Sequence, residues 1–174
     1  LVEEGVAGIT GIDTRALTRL LRKKGTMNGM ITTDVDYCMS DVIMKLHTYK
    51  MGNVVRETSC KESYVLKEDG PRIALLDLGA KANIAASLNK RGCEVTVYPA
   101  DTSAETILQA NPDGIMLSNG PGDPSTCTEI ISQVCKLYES DIPIFAICLG
   151  HQLMALANGA KTYKLTLSLI HISE

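Results

Sequence analysis

Beyond residue 72 the chain alternates between two patterns of apolar and polar positions. Residues 72–78, 94–98, 114–117 and 144–147 are short, almost continuous apolar runs bounded by turn-forming residues, and they predict fully buried strands. Residues 81–91, 103–110 and 126–139, lying between them, read as helices. After the last run, Leu149, Leu153, Leu156 and Ala157 recur at helical intervals until Gly159, a residue type that commonly ends a helix. Buried strands alternating with helices predict an α/β fold: a parallel sheet covered by helices on both faces.

The leading part of the chain reads differently. Asp13 is a good helix cap, and residues 14–24 put Ala16, Leu17, Leu20 and Leu21 on one face, with Arg15, Arg19, Arg22 and Lys23 elsewhere. Gly25 ends that helix, and its basic last turn suits the negative end of the helix dipole, so a solvated face explains these charges as well as a partner would. Residues 27–32 predict a strand, and Ser40 is placed to cap a short helix through Leu46. Between 51 and 71 periodicity lapses and polar residues gather. The expected organisation is the end of a smaller α+β domain (1–55), a linker (56–71) and the first part of the α/β domain (72–165).

Composition narrows the possible chemistry. The 174 residues are 45% hydrophobic, enough for a packed core, and a net charge of −3 with interspersed signs offers no footprint for nucleic acid or an anionic membrane. Trp is absent and Phe145 is the single Phe, so stacking on bases is not expected. No segment approaches the roughly 18–20 apolar residues of a membrane span. The six cysteines (Cys38, Cys60, Cys93, Cys127, Cys135, Cys148) form neither close pairs nor Cys/His clusters, so no metal site is expected, and their scatter fits reduced thiols in the cytoplasm.

Ligands of open α/β sheets bind at the carboxyl ends of the strands, and Cys148 stands at such an end, between a strand and the following helix. A sulfur on that turn faces unpaired N–H groups and the positive end of the helix dipole, surroundings that favour the nucleophilic thiolate. A cysteine at a strand end is also a common packing residue. Ala146 and Gly150, two positions to either side, are small enough for the tight strand-to-helix elbow a nucleophile needs, and Gln152 lies one helical turn beyond on the same face. At the end of the strand 114–117 follows SNGPGDPS (118–125), a rigid loop whose Gly120 and Gly122 let backbone N–H groups approach a ligand. Alone it is a turn; beside Cys148 it can supply an oxyanion-binding N–H, with Leu149 N–H as another.

AICLGHQ (146–152) together with SNGPGDP (118–124) resembles the class I glutamine amidotransferases, whose domain is flavodoxin-like. GIDTRALTRLLRKKGTMNGMI (11–31) and LLDLGAKANI (75–84) further resemble the small, glutamine-hydrolysing subunits of carbamoyl-phosphate synthases. The resemblance implies that Cys148 attacks the side-chain amide of L-glutamine, that Gly120 and Leu149 form the oxyanion hole, and that Gly120, Gly122, Leu149 and Gln152 bind glutamine. It implies no cofactor in this chain, and a partner large subunit that uses ATP, magnesium and bicarbonate to make carbamoyl phosphate for arginine and pyrimidine synthesis.

This sequence departs from the pattern in places. Ala146 stands where the family has Gly. A thiol nucleophile needs a base and an orienting group, which the family draws from a downstream segment with His and Glu that has no counterpart here. His47 precedes the linker, His151 belongs to the family motif without being its base, and His171 falls in a tail. That tail, 166–174, reads as non-native, so the chain is expected to be a fragment, inactive by itself. An anthranilate synthase type amidotransferase and a noncatalytic interaction module are the alternatives.

Overall fold

The computed structural model describes residues 3–6, 8–50 and 52–163. They fall into two compact units, one within Leu1–Lys50 and one spanning Met51–Tyr163. The expected non-native tail and His171 lie outside the described residues.

In the first unit, α1 (Thr14–Lys24) begins as predicted, with the Asp13 carboxylate accepting the Ala16 N–H at 2.9 Å, and ends at Gly25 with φ of 82°. α2 (Met39–Thr48) starts one residue before Ser40 and runs past Leu46, with Cys38 as its cap residue. Asn28 Nδ2 closes its far end by donating to the Leu46 and Tyr49 carbonyls at 2.8 and 3.1 Å. The strand expected over 27–32 does not form. A strand needs a partner for its N–H and C=O groups, and among the described residues this unit contains none. No described residue of this unit is buried.

The second unit is an α/β layer structure. β2 (Arg72–Asp77), β3 (Glu94–Pro99), β4 (Gly114–Leu117) and β5 (Ile144–Ala146) alternate with α4 (Ala82–Asn89), α5 (Ala104–Gln109) and α6 (Thr128–Tyr138), and α7 (Leu149–Ala157) follows β5. The linker expected over 56–71 is partly structured, together with the two residues before it. They supply α3 (Val54–Thr58), capped by Asn53 accepting the Arg56 N–H at 3.3 Å, and β1 (Tyr64–Leu66), elements of five and three residues that are too short to show a period. The sheet order is β1-β3-β2-β4-β5. All neighbours are parallel except β1, which runs antiparallel to β3, so the expected parallel sheet carries one antiparallel edge.

Alternation along the strands divides the core between the two faces. Leu76, Ile115 and Leu117 pack with Ile107, Ile130, Val134, Leu149 and Leu153 under α5, α6 and α7. Leu75, Val95, Val97 and Met116 pack with Ala85, Ile84 and Leu88 under α4. β5 departs from the fully buried strand predicted for it: Ile144 and Ala146 are half-buried, and Phe145 is 66% exposed because β5 is the last strand of the described sheet.

The register decides where the site can be. Leu76 lies opposite Leu117, and Leu117 opposite Ala146, so β2, β4 and β5 end along one edge. From that edge emerge residues 78–81, the glycine loop after Leu117, and the turn that carries Cys148.

Candidate active site

Cys148 has φ 51° and ψ −110°, backbone angles of the first central residue in a type II′ turn, a place normally taken by glycine. The turn is closed by the Gly150 N–H donating to the Ile147 carbonyl at 3.0 Å. Holding a non-glycine residue there costs on the order of 1–3 kcal/mol, and such strain persists only where the surroundings impose it. Here they do. Leu149 and Leu153 are fully buried, anchoring the first turns of α7, and Ile147 N–H donates to the Leu117 carbonyl at 3.0 Å. The result is an exposed sulfur at the head of a helix that is itself locked down.

Gly150 shows why a small residue follows the elbow. A Cβ at this position would sit 2.6 Å from the Leu117 carbonyl oxygen, so only glycine lets α7 pass this close to the end of β4. Ala146, on the other side, is half-buried in β5 and packs against the same core as α7.

The glycine loop reaches the same place. A Cβ on Gly120 would lie 2.1 Å from the Leu78 carbonyl oxygen and 2.8 Å from Leu149 Cδ2, so Gly120 is wedged between the β2 loop and the first residue of α7. Gly122, with φ of 96°, is exposed and has nothing within 4 Å of where a Cβ would be. Among the described residues, no hydrogen bond engages the N–H of Gly120, Gly122 or Leu149. Gln152 sits on α7 with an exposed side chain, and its N–H donates to the Cys148 carbonyl at 3.0 Å.

His47 lies in α2 of the first unit, and His151, although next to the site in α7, is exposed and makes no hydrogen bond to Cys148 among the described residues. Two other thiols of the second unit are disfavoured as thiolates. Burial, and then the Asp77 carboxylate, push the Cys60 thiol up, and burial likewise raises Cys127. Among the described residues no group of His, Cys, Asp and Glu is arranged to hold a metal ion, and no helix is long and apolar enough to cross a membrane.

Two residues beside the site carry structure that the sequence reading did not single out. Asp77, buried at the end of β2, accepts the N–H groups of Cys60, Gly79 and Ala80 at 2.8, 2.9 and 2.6 Å. Ser118, wholly buried, accepts the Leu78 N–H at 2.9 Å and donates to the Asn119 carbonyl at 2.8 Å. The signal available was a polar residue at the carboxyl end of an apolar run, last but one in 72–78 and directly after 114–117.

Known proteins resemble parts of both units of this chain. The family described as glutamine amidotransferase class-I matches residues 74–171, and the carbamoyl-phosphate synthase small chain, CPSase domain, matches residues 1–31. A carbamoyl phosphate synthase small chain of Listeria monocytogenes is 46% identical over 95% of this chain and 45% of its own length. The protein of the same name from Clostridium perfringens is 45% identical over 95% and 47%, and that from Neisseria meningitidis 44% identical over 97% and 49%. The chain therefore spans about half the length of the curated relatives it matches.

Proposed function

The chain belongs to the class I glutamine amidotransferases, and on that premise we propose that the full-length protein hydrolyses glutamine through Cys148 as the small subunit of a carbamoyl-phosphate synthase. The observation that carries the reading is the strained, exposed Cys148 at the sheet edge, with uncommitted N–H groups on Leu149, the next residue, and on Gly120, which packs against Leu149.

In this reaction the sulfur attacks the amide carbon of the glutamine side chain. The carbonyl oxygen takes up negative charge, which the N–H groups of Gly120 and Leu149 stabilise in the transition state. The C–N bond then breaks, the nitrogen leaves as ammonia after gaining a proton, and a γ-glutamyl thioester remains on Cys148. Water hydrolyses the thioester to glutamate and restores the thiol. Gly122 and Gln152 contribute to glutamine binding, and the proton-transferring base comes from outside the described residues. Ammonia passes to a large synthetase subunit, whose ATP, magnesium and bicarbonate convert it to carbamoyl phosphate for arginine and pyrimidine synthesis in the cytoplasm. The match of residues 1–31 to the CPSase domain supports this assignment over an anthranilate synthase type amidotransferase.

The test is to produce the full-length protein from its gene with the matching synthetase subunit and to follow ammonia and glutamate from glutamine. One ammonia per glutamate is expected, and Cys148→Ala lowers the rate by at least about 10³-fold. Glutamine hydrolysis that survives this substitution rejects Cys148 as nucleophile. A protein that pairs with the synthetase yet releases no ammonia is a binding module instead.

A further inference from the structure

We propose that Ser118 is a positioning residue for glutamine hydrolysis, setting through its hydroxyl where the Gly120 N–H stands relative to Cys148 and Leu149. The proposal rests on the glutaminase reading above and deepens it.

Ser118 is the first residue after β4 and is completely buried. Its backbone N–H donates to the Leu76 carbonyl at 3.2 Å, and its carbonyl accepts the N–H of Gly150 at 3.1 Å. Its hydroxyl accepts from Leu78 N–H and donates to the Asn119 carbonyl. One residue thus bonds to all three segments that emerge at the site: the end of β2, the glycine loop and the first turn of α7.

The two hydroxyl bonds act on the neighbours that locate Gly120. Leu78, held by its N–H, presents to Gly120 the carbonyl against which that glycine is packed, and Asn119 precedes Gly120 in the chain. Asn119 strengthens the same link, its side chain accepting the Lys81 N–H at 3.2 Å and donating to the Gly79 carbonyl at 3.4 Å. On its other side Gly120 meets the Leu149 side chain, so a shift of Leu78 or Asn119 alters the spacing of the two oxyanion-binding N–H groups. The task calls for a group that accepts and donates in the space of a small side chain, which a hydroxyl does and a methyl does not. The N–H pair acts on charge present only in the transition state, so misplacing it slows turnover more than it weakens glutamine binding.

The full-length protein with its synthetase partner is compared with Ser118→Ala and Ser118→Cys. For Ser118→Ala we expect kcat for glutamine hydrolysis to fall about 10- to 100-fold while KM stays within about 3-fold. Alkylation of Cys148 by iodoacetamide, which develops no oxyanion, stays within about 2-fold of wild type. Ser118→Cys, with a weak donor and acceptor, is expected to lie between wild type and Ser118→Ala in kcat, with the same split. A folded Ser118→Ala with wild-type kcat, or a parallel fall of kcat and alkylation, overturns the proposal. If Ser118→Ala does not fold, wild-type kcat in Ser118→Cys overturns it equally. A wild-type protein that releases no ammonia overturns the glutaminase reading and this proposal together, whereas an active wild type with an indifferent Ser118 overturns the positioning role alone.

Discussion

The helices α1 and α7 carry similar apolar spacing and meet opposite fates. In α1, Leu17, Leu20 and Leu21 are 46%, 41% and 39% exposed, and no residue of that helix is buried. In α7, Leu149 and Leu153 are 1% and 0% exposed against the sheet. Spacing decides that a helix can form, while burial requires a partner surface, and full burial of one leucine is worth about 1.5–3 kcal/mol. An isolated helix shorter than about 12–15 residues is marginal in water, so α1 depends on local devices such as the Asp13 cap. The strained turn at Cys148 is tied to α7, whose buried leucines hold it in place.

The sharpest challenge to this contrast is a matched pair of truncations. Leu153→Ala is expected to destabilise the second unit by about 2–5 kcal/mol in denaturant unfolding. Leu20→Ala in α1 should stay within about 0.5 kcal/mol, as for other exposed positions. Similar losses from both would mean that α1 has a buried face after all.

A smaller effect sharpens the picture inside the second unit. Asp77 gathers three N–H groups, and Asp77→Asn, which offers a single acceptor oxygen, should destabilise by about 1–3 kcal/mol. Faster hydrogen exchange at Cys60, Gly79 and Ala80 would locate the loss. Unchanged exchange there would show that the carboxylate is not what holds these segments together.

The smallest effect belongs to the surface. The Lys136 ammonium, hydrogen-bonded at 2.8 Å, holds the Glu105 carboxyl below its ordinary range. Because the folded value is depressed, any stabilisation from the pair is present above the unfolded carboxyl pKa and is lost as pH falls through the folded one. Both side chains are about half exposed, so the contribution is slight and salt-sensitive. Glu105→Gln should flatten the stability profile in that acidic window at low salt, and an identical profile would show that the pair contributes nothing.

The second unit was largely legible in the sequence because its strands are long enough to show a pattern. β4 lies where the apolar run 114–117 placed it, and β2, β3 and the helices differ from expectation by a few residues at their ends. α3 and β1 escaped because a five-residue helix and a three-residue strand have no measurable period, and only pairing with β3 makes Tyr64–Leu66 a strand. Residues 27–32 failed in the opposite direction, carrying Met30, Ile31 and Thr32 but finding no neighbouring strand among the described residues of their unit. At the site, the elbow was readable from Cys148 flanked by small residues. The positive φ of Cys148 and the bonding roles of Asp77 and Ser118 depend on atoms brought together from distant strands, which no local pattern records.

The backbone at Cys148 also sets the terms on which this position can evolve. Its angles are those that glycine adopts without strain, yet glycine would remove the sulfur. Stability and chemistry therefore pull on this residue in opposite directions. If Cys148 acts as proposed above, a duplicated gene released from the need for ammonia would relax the turn as it gave up the reaction, so loss of activity at this position runs downhill in backbone strain, whereas regaining it means building the strain again.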